Sequence, residues 1–273
     1  MSLSTTAARV AAALVCAAAL AAPAPAGQAP SGAPEAPAAG TDARAARAIL
    51  MHMADYLSRL PAFSMRIDSN YDVVQASGQK IEFGERRQLI LARPNRLRVD
   101  TERSDGHRTA AVFSGTELVL VDVTGKAYAS TPQPGALDDS ILHLVSDLRM
   151  RLPLAMLFMT RLPVEFERRV RSVDYVEKTS LFGVTAHHLA VRGDTVDMQV
   201  WVSDGAQPLP LRIVLTYKDE PGQPEFRAQF ADWNVAPAIA DTTFRAPVPE
   251  GAQKVLFAAQ LAAARAVRQG GKP

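Results

Sequence analysis

Few side chains in this chain have the types and spacing for reaction chemistry. His187 and His188 are adjacent in a stretch that reads as a strand. Neighbours on a strand point to opposite faces, so these two imidazoles cannot chelate one metal from a single strand. One is expected to face the core and the other the surface. Asp194 and Asp197 are close in sequence, but carboxylates at a hairpin are usually solvated. Cys16 is the one cysteine, and it lies inside an apolar N-terminal run. There is no Gly-x-Ser-x-Gly elbow, no His-Glu-x-x-His pair and no Gly-rich phosphate loop after a strand. The residues therefore predict a non-enzyme, with no catalytic residue, metal ligand or cofactor.

Binding chemistry is better represented. Residues 150–162 are dense in Met, Phe and Leu. Methionine is flexible and polarizable and suits surfaces that accept varied apolar shapes. The run is read either as a plug on a core or as a wall for an apolar ligand. Arg86, Arg87, Arg96, Arg98, Arg103 and Arg108 alternate with Asp68, Asp72, Glu82, Glu85, Asp100 and Glu102 on neighbouring strands. Such a ladder pairs with itself, each pair contributing roughly 0.2–1 kcal/mol, or offers a face to an anionic partner. Lys plus Arg total 30 against 28 Asp plus Glu, a balance that excludes a nucleic-acid footprint. Trp201 lies out of phase with Met198, Val200 and Val202 and is expected on the other face.

The elements that must position these groups follow from periodicity. Residues 79–103 organise the chain: Ile81, Phe83, Leu89 and Leu91 fall on odd positions, and Leu97 and Val99 continue after Arg93-Pro94-Asn95. Period-two alternation marks strands with one buried face, and Pro94 belongs at a strand end or turn. Residues 41–60 read as a helix ended by Pro61. Phe63, Met65, Ile67, Tyr71 and Val73 form the next strand, and Gly-containing turns predict a meander to residue 130. Residues 137–151 read as a helix. A second strand block runs from 173 to 235, followed by an extended end at 241–249 and a short helix over 255–268.

At the N-terminus, Arg9, the apolar run 10–20 and Ala-rich cleavage patterns predict a signal peptide over 1–26, too short to span a bilayer. Val15 stands where a lipidation site at Cys16 would need a small residue. Residues 27–41 read as an Ala/Pro-rich linker, 42–250 as the folded domain and 251–273 as a tail. With 48% hydrophobic residues, the domain can build a sizeable core. The protein is expected in the periplasm, with no transmembrane span in the mature chain.

Over residues 42–255 the chain resembles the LolA/LolB-type lipoprotein carriers, and looks closest to a LolA-like periplasmic family of unknown function. The features that carry this are the helix followed by Pro61-Ala62-Phe63, Arg93-Pro94-Asn95 with Leu97-Arg98, the Gly-turn meander and the closing DTTFRAPVPEGAQKV. The resemblance implies an α+β fold: a strongly curved antiparallel half-barrel with helices covering its concave face. It implies an apolar cavity that takes a lipid, a lipoprotein acyl chain or another apolar ligand, with Phe83, Leu89, Leu91, Met156, Phe158 and Met159 as candidate walls. It also implies a lid latch in which Arg93 bonds the backbone of Leu57. The other reading is a sensor or assembly module that binds an envelope protein partner.

Overall fold

The computed structural model describes residues 39–257 and Gln260. The expected signal peptide, Cys16, the linker before residue 39 and most of the expected C-terminal helix lie outside the described residues. Helix α1 (Ala39–Arg59) buries Ala46, Leu50, Met53, Ala54 and Leu57. That spacing draws one apolar stripe along the helix. Full burial of a side chain such as Leu50 or Leu57 contributes about 1.5–3 kcal/mol. Pro61 disfavours a helical residue before it, and the chain turns at once into strand β1 (Ala62–Val74).

Strands β2 (Lys80–Ala92), β3 (Arg96–Arg103), β4 (Arg108–Ser114), β5 (Glu117–Asp122) and β6 (Ala127–Pro132) follow as a meander. A second meander comprises β7 (Val170–Leu181), β8 (Val184–Gly193), β9 (Val196–Ser203), β10 (Pro210–Tyr217) and β11 (Glu225–Asn234). The two join where β1 pairs with β11. The short β12 (Gln253–Lys254) adds to β6 in parallel; all other pairs are antiparallel. The result is one open, curved, twelve-stranded sheet.

Register places the odd-numbered residues of β1–β4 in rows across the sheet. Met65, Leu89, Val99, Ala111, Leu120 and Ala129 form one row; Phe63, Leu91, Leu97, Phe113 and Leu118 form the next. A slip of one residue would turn every one of these side chains to the other face. Apart from Ala111, the two rows and the stripe of α1 belong to one apolar core. On the opposite face, Phe244 of the extended end packs with Ala92 and Val112, and Arg98 Nη1 donates to Thr243 O at 3.1 Å.

Between the meanders the sequence reading needs revision. Residues 137–151 do not form one helix. α2 (Leu137–Leu142) widens into a single π turn at His143–Asp147. Residues 151–161 hold only a 3₁₀ turn at Ala155–Phe158. A helix that periodicity missed, α3 (Leu162–Arg169), precedes β7. Pro163 suits a first turn because its missing N–H is not needed there. Glu165, almost fully buried, bonds Arg169 Nε at 2.9 Å one turn on.

The acidic and basic side chains of the strands pair with one another. Asp68 accepts from Arg86 Nε (2.7 Å) and Arg66 Nε (3.0 Å), and Asp72 from Arg227 Nη1 (2.9 Å) and the backbone N–H of Glu225 (3.0 Å). Burial pushes both carboxyl groups up, but these donors outweigh it and hold both pKa values below the ordinary aspartate value. Their stabilising effect is therefore complete above the unfolded pKa, about 3.9, and is lost as pH falls through the lower folded values. Urea midpoints should fall from about pH 4 downward. Asp72→Asn should lower the midpoint at neutral pH and flatten that acid limb; an acid limb as steep in the variant would exclude Asp72 as a contributor.

Candidate functional site

Mid-sheet strands normally bury the side chains under a helical cover. Here Val99, Ala111 and Leu120 remain only half-buried in the middle of their row. The cause is a chamber of about 510 Å³ between the sheet and the segment that connects the meanders. Leu89, Leu97, Val99, Phe113 and Leu120 line it from the sheet. Ile141, Leu144, Met150, Leu152 and Phe158 line it from the connecting segment. Its walls are overwhelmingly apolar, and its size falls within the usual range for small-molecule sites.

One side of the chamber is polar. The row after Met65–Leu89–Val99–Ala111–Leu120 reads Ile67, Arg87, Thr101, Thr109 and Asp122, all lining residues. Arg87 pairs with Glu85 and lies 5.7 Å over the Phe226 ring. Burial pushes its pKa down, against the opposing pull of Glu85, yet an arginine stays charged. Beyond Arg87 lies a smaller vestibule of about 220 Å³, lined by Tyr71, Glu85, Arg151 and Tyr217 among others. Arg87 and Pro153 line both spaces.

Arg93 stands at the other side of the cover. Its Nε donates to Leu60 O (3.0 Å), Nη1 to Phe158 O (2.9 Å) and Nη2 to Leu57 O (3.3 Å). The end of a helix leaves carbonyls without intrahelical partners, and Arg93 satisfies two at the end of α1. The third acceptor belongs to Phe158, a chamber wall. One side chain thus ties β2, α1 and the cover together. Burial pushes its pKa down, opposed by Asp138. Asp138 itself holds the cover, accepting from the N–H and hydroxyl of Thr160, each at 2.8 Å.

The sequence-expected walls divide. Leu89 and Phe158 line the chamber. Leu91 is fully buried in the core, Met159 is buried and Met156 packs partly buried against the same core, but none of the three faces the chamber. Phe83 lies far along β2, 36% exposed and stacked on Tyr71 with centroids 6.0 Å apart. The sheet's alternation continues to Phe83, but the connecting segment does not reach it. Arg87 and the threonines beyond it were missed as site residues. Their odd positions, in phase with Leu89, were the available signal.

His187 bonds Tyr175 Oη (3.1 Å) and Asp204 (3.2 Å), while His188 stacks on Trp201 at 4.0 Å. They diverge as the strand alternation requires. Among the described residues no three His, Cys, Asp or Glu side chains form a metal-binding group. No described helix is long and apolar enough to cross a membrane.

An open curved sheet with an apolar chamber between it and the segment that connects its meanders defines the class of architecture. The chain belongs to the family described as "Predicted periplasmic protein (DUF2092)", whose model matches residues 46–258. The match agrees with the periplasmic family of unknown function that the resemblance implied. Among curated proteins, none matches. Three solved structures are similar at a distance. An uncharacterized conserved protein from Thermus thermophilus is 12% identical, with 77% of this chain and 99% of that one covered and a TM-score of 0.45. A LolA superfamily protein from Nitrosomonas europaea is 12% identical, with 73% and 96% covered and a TM-score of 0.38. The MucA/MucB complex of Pseudomonas aeruginosa contains a chain 20% identical, with 74% of this chain but only 61% of that one covered and a TM-score of 0.38.

Proposed function

We propose that this is a non-enzymatic periplasmic binding or carrier protein that holds a lipid, a lipoprotein acyl chain or another apolar ligand. The observation that supports this best is the chamber, with apolar walls on both the sheet and the cover. Moving an acyl chain from water into such a space is worth about 0.8 kcal/mol per CH₂. In this reading residues 1–26 are removed on export, 27–41 tether the domain, 42–250 form a half-barrel whose concave face carries the helices, and 251–273 trail from it. Arg93, through Leu57, latches the cover. Native mass spectrometry of protein purified from its own periplasm tests the reading. A bound apolar ligand of fixed mass is expected, and protein that remains ligand-free after exposure to periplasmic lipid extract argues against it.

A second reading, a sensor or assembly module for a protein partner, draws on one edge of the sheet. β7 is a terminal strand, and Val176 on it and Phe182 and Val184 at its turn into β8 are exposed. Free strand edges accept a further strand from a partner. A polypeptide co-purifying at fixed stoichiometry, with the chamber empty, would favour it.

Non-enzymatic action has its own test. His187→Ala with His188→Ala should leave ligand binding unchanged apart from a stability loss, because neither imidazole lines the chamber. A folded double variant that loses a measurable turnover would overturn the non-enzyme reading.

A further inference from the structure

The vestibule beside the chamber has more donors than its own acceptors use. Arg87 is half-buried, its side chain 19% exposed, and among the described residues its one hydrogen-bond partner is Glu85. A guanidinium carries five N–H donors, so most of Arg87's are left facing the two spaces it lines. Arg151 lies 4.7 Å over the Tyr217 ring and pairs outward with Glu220. The hydroxyls of Tyr71 and Tyr217 have no hydrogen-bond partner among the described residues. The nearby carboxylates are already engaged: Asp72 and Glu225 by Arg227, and Glu85 by Arg87. A hydrogen bond from a charged donor is roughly twice as strong as a neutral one, and a ligand that brings acceptor oxygens into this partly enclosed space would gain it. Asp72, Glu85 and Glu225 line the vestibule beside Arg87 and Arg151, and Arg227 and Glu220 pair with these groups, so the vestibule selects by hydrogen-bond geometry rather than by a positive field. That suits a singly charged oxyanion, and the apolar chamber beyond Arg87 suits a hydrocarbon tail.

We propose that the ligand is an amphiphile whose tail fills the chamber and whose oxyanion head, a carboxylate or phosphodiester, lies in the vestibule against Arg87 and Arg151. This rests on the carrier reading above and names its ligand class.

Displacement of the neutral fluorescent probe N-phenyl-1-naphthylamine from the full domain tests both, with competitors that share one tail. Hexadecanoate should bind about tenfold more tightly than hexadecanol, the ratio expected of a charge-assisted hydrogen bond. Inorganic phosphate alone should displace nothing. Arg87→Gln made together with Glu85→Gln leaves no stranded carboxylate. It should abolish the preference for hexadecanoate over hexadecanol, while Arg151→Gln at the exposed rim should reduce the preference. Equal affinities of the two competitors in the unaltered protein would overturn the head-group assignment and leave the carrier reading standing. Failure of both to displace the probe would sink the carrier reading itself. Displacement by phosphate alone would make the vestibule a small-anion site and overturn the amphiphile. A preference that persists in the folded double variant would remove Arg87 from the assignment. If that variant does not fold, the comparison in the unaltered protein and in Arg151→Gln decides.

Discussion

Replacing Arg93 with leucine should leave the sheet folded, speed amide exchange at the end of α1 and change the rate at which an apolar probe enters or leaves the chamber. Three carbonyls lose their donor at once, those of Leu57, Leu60 and Phe158. A hydrogen bond from a charged group contributes roughly 1.5–3 kcal/mol, and an orphaned buried acceptor costs a similar amount. The three do not add independently, so a loss of about 2–4 kcal/mol is expected from urea unfolding. A typical domain has 5–15 kcal/mol in hand, so the fold should survive while its cover loosens. Arg93→Lys should rescue little, because an ammonium is a point charge and lacks the planar fork that reaches three acceptors. Unchanged exchange across residues 49–60 together with unchanged probe kinetics would reject the latch.

Filling the chamber should have the opposite profile. Ala111 lies in mid-sheet, between Val99 and Leu120 on the chamber face. Ala111→Phe places a ring in the space that a ligand would use. Binding of an apolar probe should weaken at least tenfold, about 1.4 kcal/mol. Stability should hold or rise, since filling a void commonly adds about 0.5–2 kcal/mol. A tightly packed core would instead resist the ring, at a cost of about 1–3 kcal/mol. Strong destabilisation with unaltered probe binding would show that the chamber is not where the probe goes.

Much of this architecture was legible because period two is unambiguous over long strands. The odd positions Phe63, Met65, Ile67, Leu89, Leu91 and Leu97 name the buried face, and Gly183, Gly193 and Gly205 fall at or beside turns between strands. Arg93 could be placed by phase and its helix-end acceptor by resemblance. The connecting segment was less legible. Leu154 takes a left-handed backbone conformation (φ 69°) and Arg149 another (φ 52°), and such breaks leave no trace in apolar spacing. A dense run of Met, Phe and Leu fits a helix, a turn or a wall equally well. Which of its side chains face a cavity is decided by the sheet opposite. For this reason Phe158 faces the chamber while Met156 and Met159 do not. Arg87 was hidden by its type: an arginine amid charged neighbours reads as ladder, although its phase placed it inside.

The seam between β1 and β11 has a consequence for how the chain reaches this state. Each meander pairs neighbours joined by short turns, so each can form from local contacts. The seam instead joins Ile67 to Phe230 and Tyr71 to Phe226, residues from opposite ends of the domain. Non-local pairing of this kind slows folding because the intervening loop must first be closed. A chain made from its N-terminus displays the free edge of β1 until β11 is complete, and an unpaired strand edge invites the wrong partner. The last strands of the second meander therefore act as the chain's own cap, and truncation before residue 225 should yield aggregates rather than a smaller domain.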